Sequence, residues 1–288
     1  MYVPPYDKFR LASNREAWEV SRHMDLALAG KRAIVTGGTG GIGIAIVRQL
    51  ALEGVRTAVC SRSLDRAKDA IVSLGFGDSA ELMPVEVELK DPESVAAMVA
   101  SVAAAWGGVD IVVNSAAEVS GNVAEDFDHV TDEFVLSSFE DKFIGILRVA
   151  RNVVPFMREQ QFGRIINLAG STARHAGSIS AGARNSAVVN LTKAMAVELG
   201  KDGITVNAVH PFTTVTENLG PRLERMAARR DVSADEHLEK ISARTSLGRL
   251  VTAEEIADFV TFLASPRSVS LTGEVLALTG GLGTNVYF

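Results

Sequence analysis

The chain has a single cysteine, Cys60, among its 288 residues. One thiol excludes an internal disulfide framework and suits a reducing compartment, which points to the cytoplasm. Standing at the end of an apolar run, Cys60 reads as a small buried filler. Tyrosine is almost as scarce: Tyr2, Tyr6 and Tyr287 are the only three, and all lie at the ends. The interior of the chain therefore offers no phenol. No stretch reaches the roughly eighteen uninterrupted apolar residues of a membrane span. Met1 to Ala29 carries Asp7, Lys8, Arg10, Arg15, Glu16 and Glu19 and lacks an apolar targeting core, so it is not read as a signal peptide. An excess of positive charge is also missing. The formal net charge is −6 with both signs scattered, which argues against nucleic acid or an acidic membrane surface as partner. Internal repeats and low-complexity tracts are absent.

What remains is an ordinary globular composition, 47% hydrophobic and 22% charged, long enough for a large core. Residues 1–25 read as an extension in which Leu11, Trp18 and Val20 can pack on the body or on a partner subunit, and 26–288 as a single domain. Within it, short apolar runs alternate with helical periodicity. Strands are expected at Ala33–Val35, Arg56–Ser61, Glu81–Glu88, Val109–Asn114, Arg164–Leu168, Ile204–Val209 and Val275–Leu278. Helices are expected from Ile42 through Leu52, over Leu64–Leu74, from Asp91-Pro92-Glu93 through Val102, over about Phe134–Glu159, over about Ala183–Leu199, and over Ala253–Leu263. Nearly all-apolar strands alternating with helices describe a parallel sheet covered on both faces. This is an α/β, Rossmann-like, doubly wound parallel sheet of about seven strands.

The stretch Thr36-Gly37-Gly38-Thr39-Gly40-Gly41-Ile42-Gly43 lies between the first strand and the first helix. Glycines at 37, 41 and 43 permit a tight turn, close approach of backbone N–H groups to a pyrophosphate, and close packing of helix on strand. A plain flexible loop is the alternative for the bare pattern. In such a sheet the ligand lies beyond the carboxyl ends of the strands. After the second strand come Ser61 and Arg62 with no acidic residue. A carboxylate there would hold a ribose 2′-hydroxyl, whereas Arg62 can neutralise a 2′-phosphate, so NADP(H) is favoured over NAD(H); the alternative is an arginine in solvent. After the fourth strand come Asn114, Ser115, Ala116 and Ala117, and after the sixth His210, Pro211, Phe212 and Thr213.

These residues resemble the short-chain dehydrogenase/reductase family over roughly Leu26 to Gly281. The match is carried by the glycine motif, by Asp110 to Ala117, by Asn167, by Leu191-Thr192-Lys193 through Leu199, by Val206-Asn207-Ala208-Val209, by Gly248-Arg249 through Ala257, and by Thr272-Gly273 and Gly280-Gly281. The resemblance implies hydride transfer to a carbonyl or from an alcohol, a homodimer or homotetramer built on the long helices, and a small-molecule substrate. It places the cofactor on Gly37, Thr39, Gly40, Gly41, Ile42, Ser61, Arg62, Glu88, Asn114, Ala116, Pro211, Phe212, Thr214 and Thr216, and implies no metal.

The family's chemistry rests on an Asn, a Ser, a Tyr and a Lys. Counted from the matched segments, those positions hold Lys142, Gly170 (with Ser171 adjacent), Ala181 and Asn185. The family's Pro-Gly after the sixth strand is Pro211-Phe212, where a ring could stack on the nicotinamide half or obstruct it. Candidate replacements follow from chemistry. Lys142 could donate to a developing oxyanion if desolvation lowers its pKa, or it could hold a water or reach solvent. His175 titrates in the useful range, though it could equally be a surface residue. Asn185 and Ser171 can hydrogen-bond but have no evident base. His210 reads as a packed strand-end histidine. Residues 213–245 are expected to form a substrate lid, with Leu219, Leu223, Met226 and Leu238 on its apolar side. The favoured function is an NADP(H)-dependent oxidoreductase acting on a carbonyl or activated C=C of a small hydrophobic substrate with a non-standard proton donor. The alternatives are a non-redox isomerase, dehydratase or cyclase, and a non-catalytic binding protein.

Overall fold

The structure is a computed structural model. It describes residues 24–116, 127–174, 178–284 and 286; most of the N-terminal extension, Ala117, His175 and all three tyrosines lie outside the described residues.

Seven strands form one parallel sheet: β1 (Arg32–Thr36), β2 (Arg56–Ser61), β3 (Leu82–Glu86), β4 (Ile111–Asn114), β5 (Gly163–Leu168), β6 (Ile204–Pro211) and, last in sequence, β9 (Val275–Leu278). Their order is β3-β2-β1-β4-β5-β6-β9. The strand order therefore reverses between β1 and β4, which opens the crevice expected of this architecture. Register brings Thr36 beside Asn114 and Asn114 beside Asn167, so three polar strand ends line up at the carboxyl edge. A separate pair joins β7 (Thr214–Val215) to β8 (Val251–Thr252).

Because successive strand residues point to opposite faces, the sheet divides the core in two. Ile34, Val112, Ile165 and Ala208 face α3 (Pro92–Trp106), α5 (Gly145–Glu159) and α6 (Ile179–Leu199). Val35, Val113, Ile166 and Val209 face α1 (Gly41–Leu52) and α9 (Ala253–Ala264). Helix α2 (Leu64–Leu74) covers the β2–β3 edge. Cys60 is wholly buried, and desolvation pushes its thiol up to about 12, so it is an inert filler at neutral pH.

Several boundaries differ from the expectations above, and three of the differences have a bearing on the site. The helix expected over Phe134–Glu159 is α4 (Asp132–Phe139), a π-helical turn at Glu140–Ile144, and then α5. Helix α6 starts at Ile179 rather than near Ala183, because the Ser178 hydroxyl accepts from Ala181 N at 3.0 Å and caps it. Strand β6 runs two residues past Val209, carrying His210 into the sheet. Beyond β7, α7 (Leu219–Ala228) and α8 (Ala234–Ser242) pack on each other through Leu223 and Ile241, with Leu250 beneath. No helix among the described residues is long and apolar enough to cross a membrane.

Candidate active site

The turn after β1 is built for close backbone approach. Gly37 has φ +66°, and a Cβ there would stand 2.8 Å from the Ala116 Cα, so no larger residue fits against the β4 loop. A Cβ on Gly43 would strike the Gly37 carbonyl, which keeps α1 tight on the turn. Ala116 N donates to Thr36 Oγ1 at 3.3 Å. A cleft opens here, walled by Thr36, Gly37, Thr39, Ala116, Ser61, Arg62, Arg66, Glu88 and Asp141. Arg66 joins Arg62 because Ser63 caps α2, accepting from Arg66 N, which places Arg66 in the first helical turn. One backbone donor of the cradle is taken: Glu217 Oε1 accepts from Gly41 N at 2.7 Å.

A second polar cluster lies across the carboxyl ends of β5 and β6. Lys142, on the π-helical turn, is 4% exposed and its Nζ donates to Ala169 O at 2.6 Å. A π turn inserts one extra residue and so rotates the side chains that follow. Burial, helped by the positive charge of Arg184, lowers the Lys142 amine from its ordinary 10.5 to about 7. Arg184, one helical turn after Ser180 on α6, donates to Ser138 Oγ at 2.8 Å. Asn185 Nδ2 donates to Thr172 Oγ1 at 2.7 Å, while its Oδ1 is buried with no hydrogen-bond partner. A Cβ added at Gly170 would come within 2.6 Å of Asn185 Nδ2. Helix α6 is held to the sheet by a buried chain in which Asn114 Nδ2 donates to Asn167 Oδ1 at 2.9 Å and Asn167 Nδ2 donates to Thr192 Oγ1 at 2.9 Å. His210 is 1% exposed, and neither ring nitrogen has a partner.

The comparisons with known proteins agree with this fold. The model of the family described as enoyl-(acyl carrier protein) reductase matches residues 37–283. A putative ketoacyl reductase of Streptomyces coelicolor is 34% identical over 256 residues, covering 87% of this chain and 96% of the relative. The chain belongs to the short-chain dehydrogenase/reductase family. It is also similar to the 3-oxoacyl-(acyl-carrier-protein) reductase FabG of Vibrio cholerae, 33% identical over 88% of this chain and 98% of the relative. Among solved structures, L-sorbose reductase of Gluconobacter frateurii in complex with NADPH and L-sorbose aligns with TM-score 0.83 and 29% identity, covering 91% of this chain and 100% of that one. An actinorhodin polyketide ketoreductase with NADPH aligns with TM-score 0.79 and 32% identity, covering 88% and 98%.

The family motifs account for much of the site. Gly37, Thr39, Ser61, Arg62, Glu88 and Ala116 meet in the cleft; Thr216 lies beside Gly41, with its methyl 3.9 Å from a Cβ built there, and Gly40 and Ile42 flank that glycine in the same turn. Lys142, Gly170, Ala181 and Asn185, the positions the resemblance assigns to the short-chain dehydrogenase/reductase tetrad, converge around Ala169 and Thr172: Ala181 O accepts from Thr172 Oγ1 at 3.3 Å. Ser171 is buried and opens the 3-10 turn beside them. Other expected residues make contacts within the chain. Phe212, read as a cofactor contact, packs with Leu223, Ile241 and Leu250 beneath α7 and α8, under the Arg244 guanidinium 5.5 Å from its ring centroid. Pro211 ends β6, and Thr214 Oγ1 donates to the Phe212 carbonyl. Asn114 spends its amide on Asn167. Arg66, Asp141, Arg184 and Glu217 escaped the sequence reading because helical registers and a loop fold-back, rather than a motif, bring them in.

Proposed function

We propose that this chain is an NADP(H)-dependent oxidoreductase that reduces a carbonyl or an activated C=C bond of a small hydrophobic substrate, with Lys142 as proton donor. The observation that carries the reading is the buried ammonium of Lys142 beside Ala169 O, at the position the resemblance assigns to the family's Asn and with its pKa brought down to about 7. The cradle fits a dinucleotide: Gly37 and Gly43 hold the turn tight against the β4 loop and α1, the open backbone at Gly41 and the N-terminus of α1 favour an anion, and Arg62 and Arg66 offer the adenosine end two cations. The two arginines favour the 2′-phosphorylated cofactor. NADPH is also the cofactor in the L-sorbose reductase and actinorhodin ketoreductase structures, and ketoacyl compounds are the carbonyl class named for several relatives. Bound there, the dinucleotide would supply a hydride. The chain's part is to hold the substrate oxygen on the Lys142 ammonium, pass it a proton as negative charge develops, and regain one from water. Asn185 would orient this end of the site without transferring a proton.

The same reading assigns residues 213–245 to a cover over an apolar substrate and 26–288 to one domain. It places the protein in the cytoplasm as a homodimer or homotetramer. Leu136 on α4 and Val197 on α6, 68% and 76% exposed, suit burial against a second copy.

Calorimetric titration with NADPH, NADH and the 2′-phosphate-bearing adenosine fragment tests the cofactor. NADPH binding clearly tighter than the fragment is expected. Equal binding would show that the nicotinamide half is not accommodated and would return the site to a non-redox or binding role. With a turned-over carbonyl compound, Lys142→Ala is expected to lower kcat about 10²- to 10⁴-fold and leave NADPH affinity within about twofold. Full retention of turnover would remove Lys142 from the mechanism.

A further inference from the structure

Among the described residues His210 is the one buried histidine at the carboxyl edge of the sheet, and it is unexplained by packing. On β6 it follows Ala208 by two residues, so its ring projects to the same face as Ala208, toward α5 and α6 and beside Ala169. Ala169 is the residue whose carbonyl holds Lys142. Both ring nitrogens are buried and neither has a hydrogen-bond partner. A buried donor or acceptor left unmade costs on the order of 1–3 kcal/mol. A fold does not keep two such losses on one side chain when a leucine would fill the same space at no such cost.

The surroundings decide which form the ring takes. Burial and the positive charges of Arg174, after β5, and Lys142, on the π-helical turn, hold the imidazole far below its ordinary range, at about 4, so it is neutral at physiological pH with one N–H and one lone pair. Arg184 on α6 adds positive charge at Lys142 itself. Lys142 meanwhile carries three N–H groups and makes one hydrogen bond among the described residues. Two donors of different kinds thus stand in a positive field by Ala169, the ammonium on its carbonyl and the imidazole on the neighbouring strand.

We propose that His210 and Lys142 together form the oxygen-binding site of this pocket, the His210 N–H and the Lys142 ammonium both donating to one carbonyl oxygen of a 3-oxoacyl-type substrate. Two donors on a single oxygen are what a carbonyl needs as it gains negative charge. The geometry assigns them to a strand end and a π turn rather than to a Ser and a Tyr. The inference rests on the reading of this pocket as a carbonyl site but requires no turnover.

The test uses the full chain labelled with ¹⁵N-histidine, saturated with NADP⁺ so that no reduction occurs, and a short acetoacetyl thioester as probe. The expected result is a shift of the His210 ring nitrogens on adding the probe. His210→Leu should lower probe affinity about tenfold, while NADP⁺ affinity stays within twofold and the thermal midpoint of the free protein is equal or higher. His210→Gln, which keeps a donor, should retain affinity within about threefold. Ring nitrogens that ignore a bound probe, undiminished probe binding in His210→Leu, or no probe binding to the unmodified protein would each overturn the proposal. So would ring nitrogens already locked in hydrogen bonds in the free protein, together with a lowered midpoint for His210→Leu, because the histidine would then be structural. If His210→Leu fails to fold, the ring-nitrogen shift in the unmodified chain decides. Loss of NADPH turnover chemistry with the probe signal intact would sink the oxidoreductase reading and leave this one standing.

Discussion

At Lys142 the burial that makes the amine useful also opposes folding, and the sign of its pH dependence follows. The folded-state pKa is about 7 against 10.5 for a free lysine. Below pH 7 the charge is carried in both states and the folded one bears the full penalty, on the order of 5 kcal/mol. Between pH 7 and 10.5 the unfolded chain binds more protons, so this contribution becomes less unfavourable as pH rises. Lys142→Met should therefore raise the urea midpoint most at pH 6, with a gain that shrinks steadily toward pH 10. A gain that is flat across this range would place the lysine in a wetter site. The neighbouring substitutions are coupled sterically. Gly170 has an extended backbone, φ 169°, that any residue can adopt, so what keeps a side chain out is the 2.6 Å approach of Asn185 Nδ2. Gly170→Ser alone should push Asn185 off Thr172 and cost about 1–3 kcal/mol. Combined with Asn185→Ala, the serine should cost less than the sum of the two single changes. A double-mutant cycle from denaturation midpoints measures the difference, and simple additivity would mean that the two sites do not touch.

The segment from β6 to α7 makes the cofactor cradle conditional. Leu219 N donates to Thr216 O at 3.0 Å, a turn that swings Glu217 back onto Gly41 N, with Asn218 Nδ2 donating to the same carboxylate oxygen at 3.0 Å. A carboxylate at a helix N-terminus stabilises it by roughly 0.5–1.5 kcal/mol, and an incoming phosphate needs the same donor. Glu217→Ala should thus lower the thermal midpoint of the free protein slightly while tightening NADP⁺ binding about three- to tenfold, with Glu217→Gln in between. Calorimetry that finds weaker binding in Glu217→Ala would show instead that the glutamate helps to hold the ligand. No sequence pattern announces this contact, because it depends on how a turn folds back onto a residue 176 positions earlier in the chain. The alternation of apolar strands and helices, by contrast, is a local signal, and the order of elements, the Asp91-Pro92 start of α3 and the span of α2 are all legible in the residues. Lys142 was legible as a position but not as a buried amine, since a π turn has no period of its own to reveal it. His210 was legible as a strand-end residue, while its missing partners are a property of packing alone.

For the molecule as a whole, parallel strands deliver every active loop to one edge, so a single ligand can tie together the turn after β1, the ends of β2 and β4, and the Thr213–Glu217 segment. A ligand that binds only the folded chain stabilises it by about 2.7 kcal/mol at a concentration 100-fold above Kd. In a chain of this size, 1 kcal/mol corresponds to about 2 °C, so NADP⁺ at that level should raise the thermal midpoint by about 5 °C. The discriminating comparison is NAD⁺ at the same concentration, because the two differ only by the 2′-phosphate. Arg62 and Arg66 line the cleft where that phosphate would lie, whereas Glu88 in the same lining disfavours a second negative charge, as does Asp141 to the extent that its ion pair with Lys90 at 3.1 Å leaves it charge to spare. If the arginines prevail, NADP⁺ shifts the midpoint by several degrees more than NAD⁺, and Arg62→Ala with Arg66→Ala removes the difference without abolishing the NAD⁺ response. Equal shifts in the unmodified protein would mean that the two carboxylates cancel the arginines, and the preference for the phosphorylated cofactor would fall while the cradle itself stood.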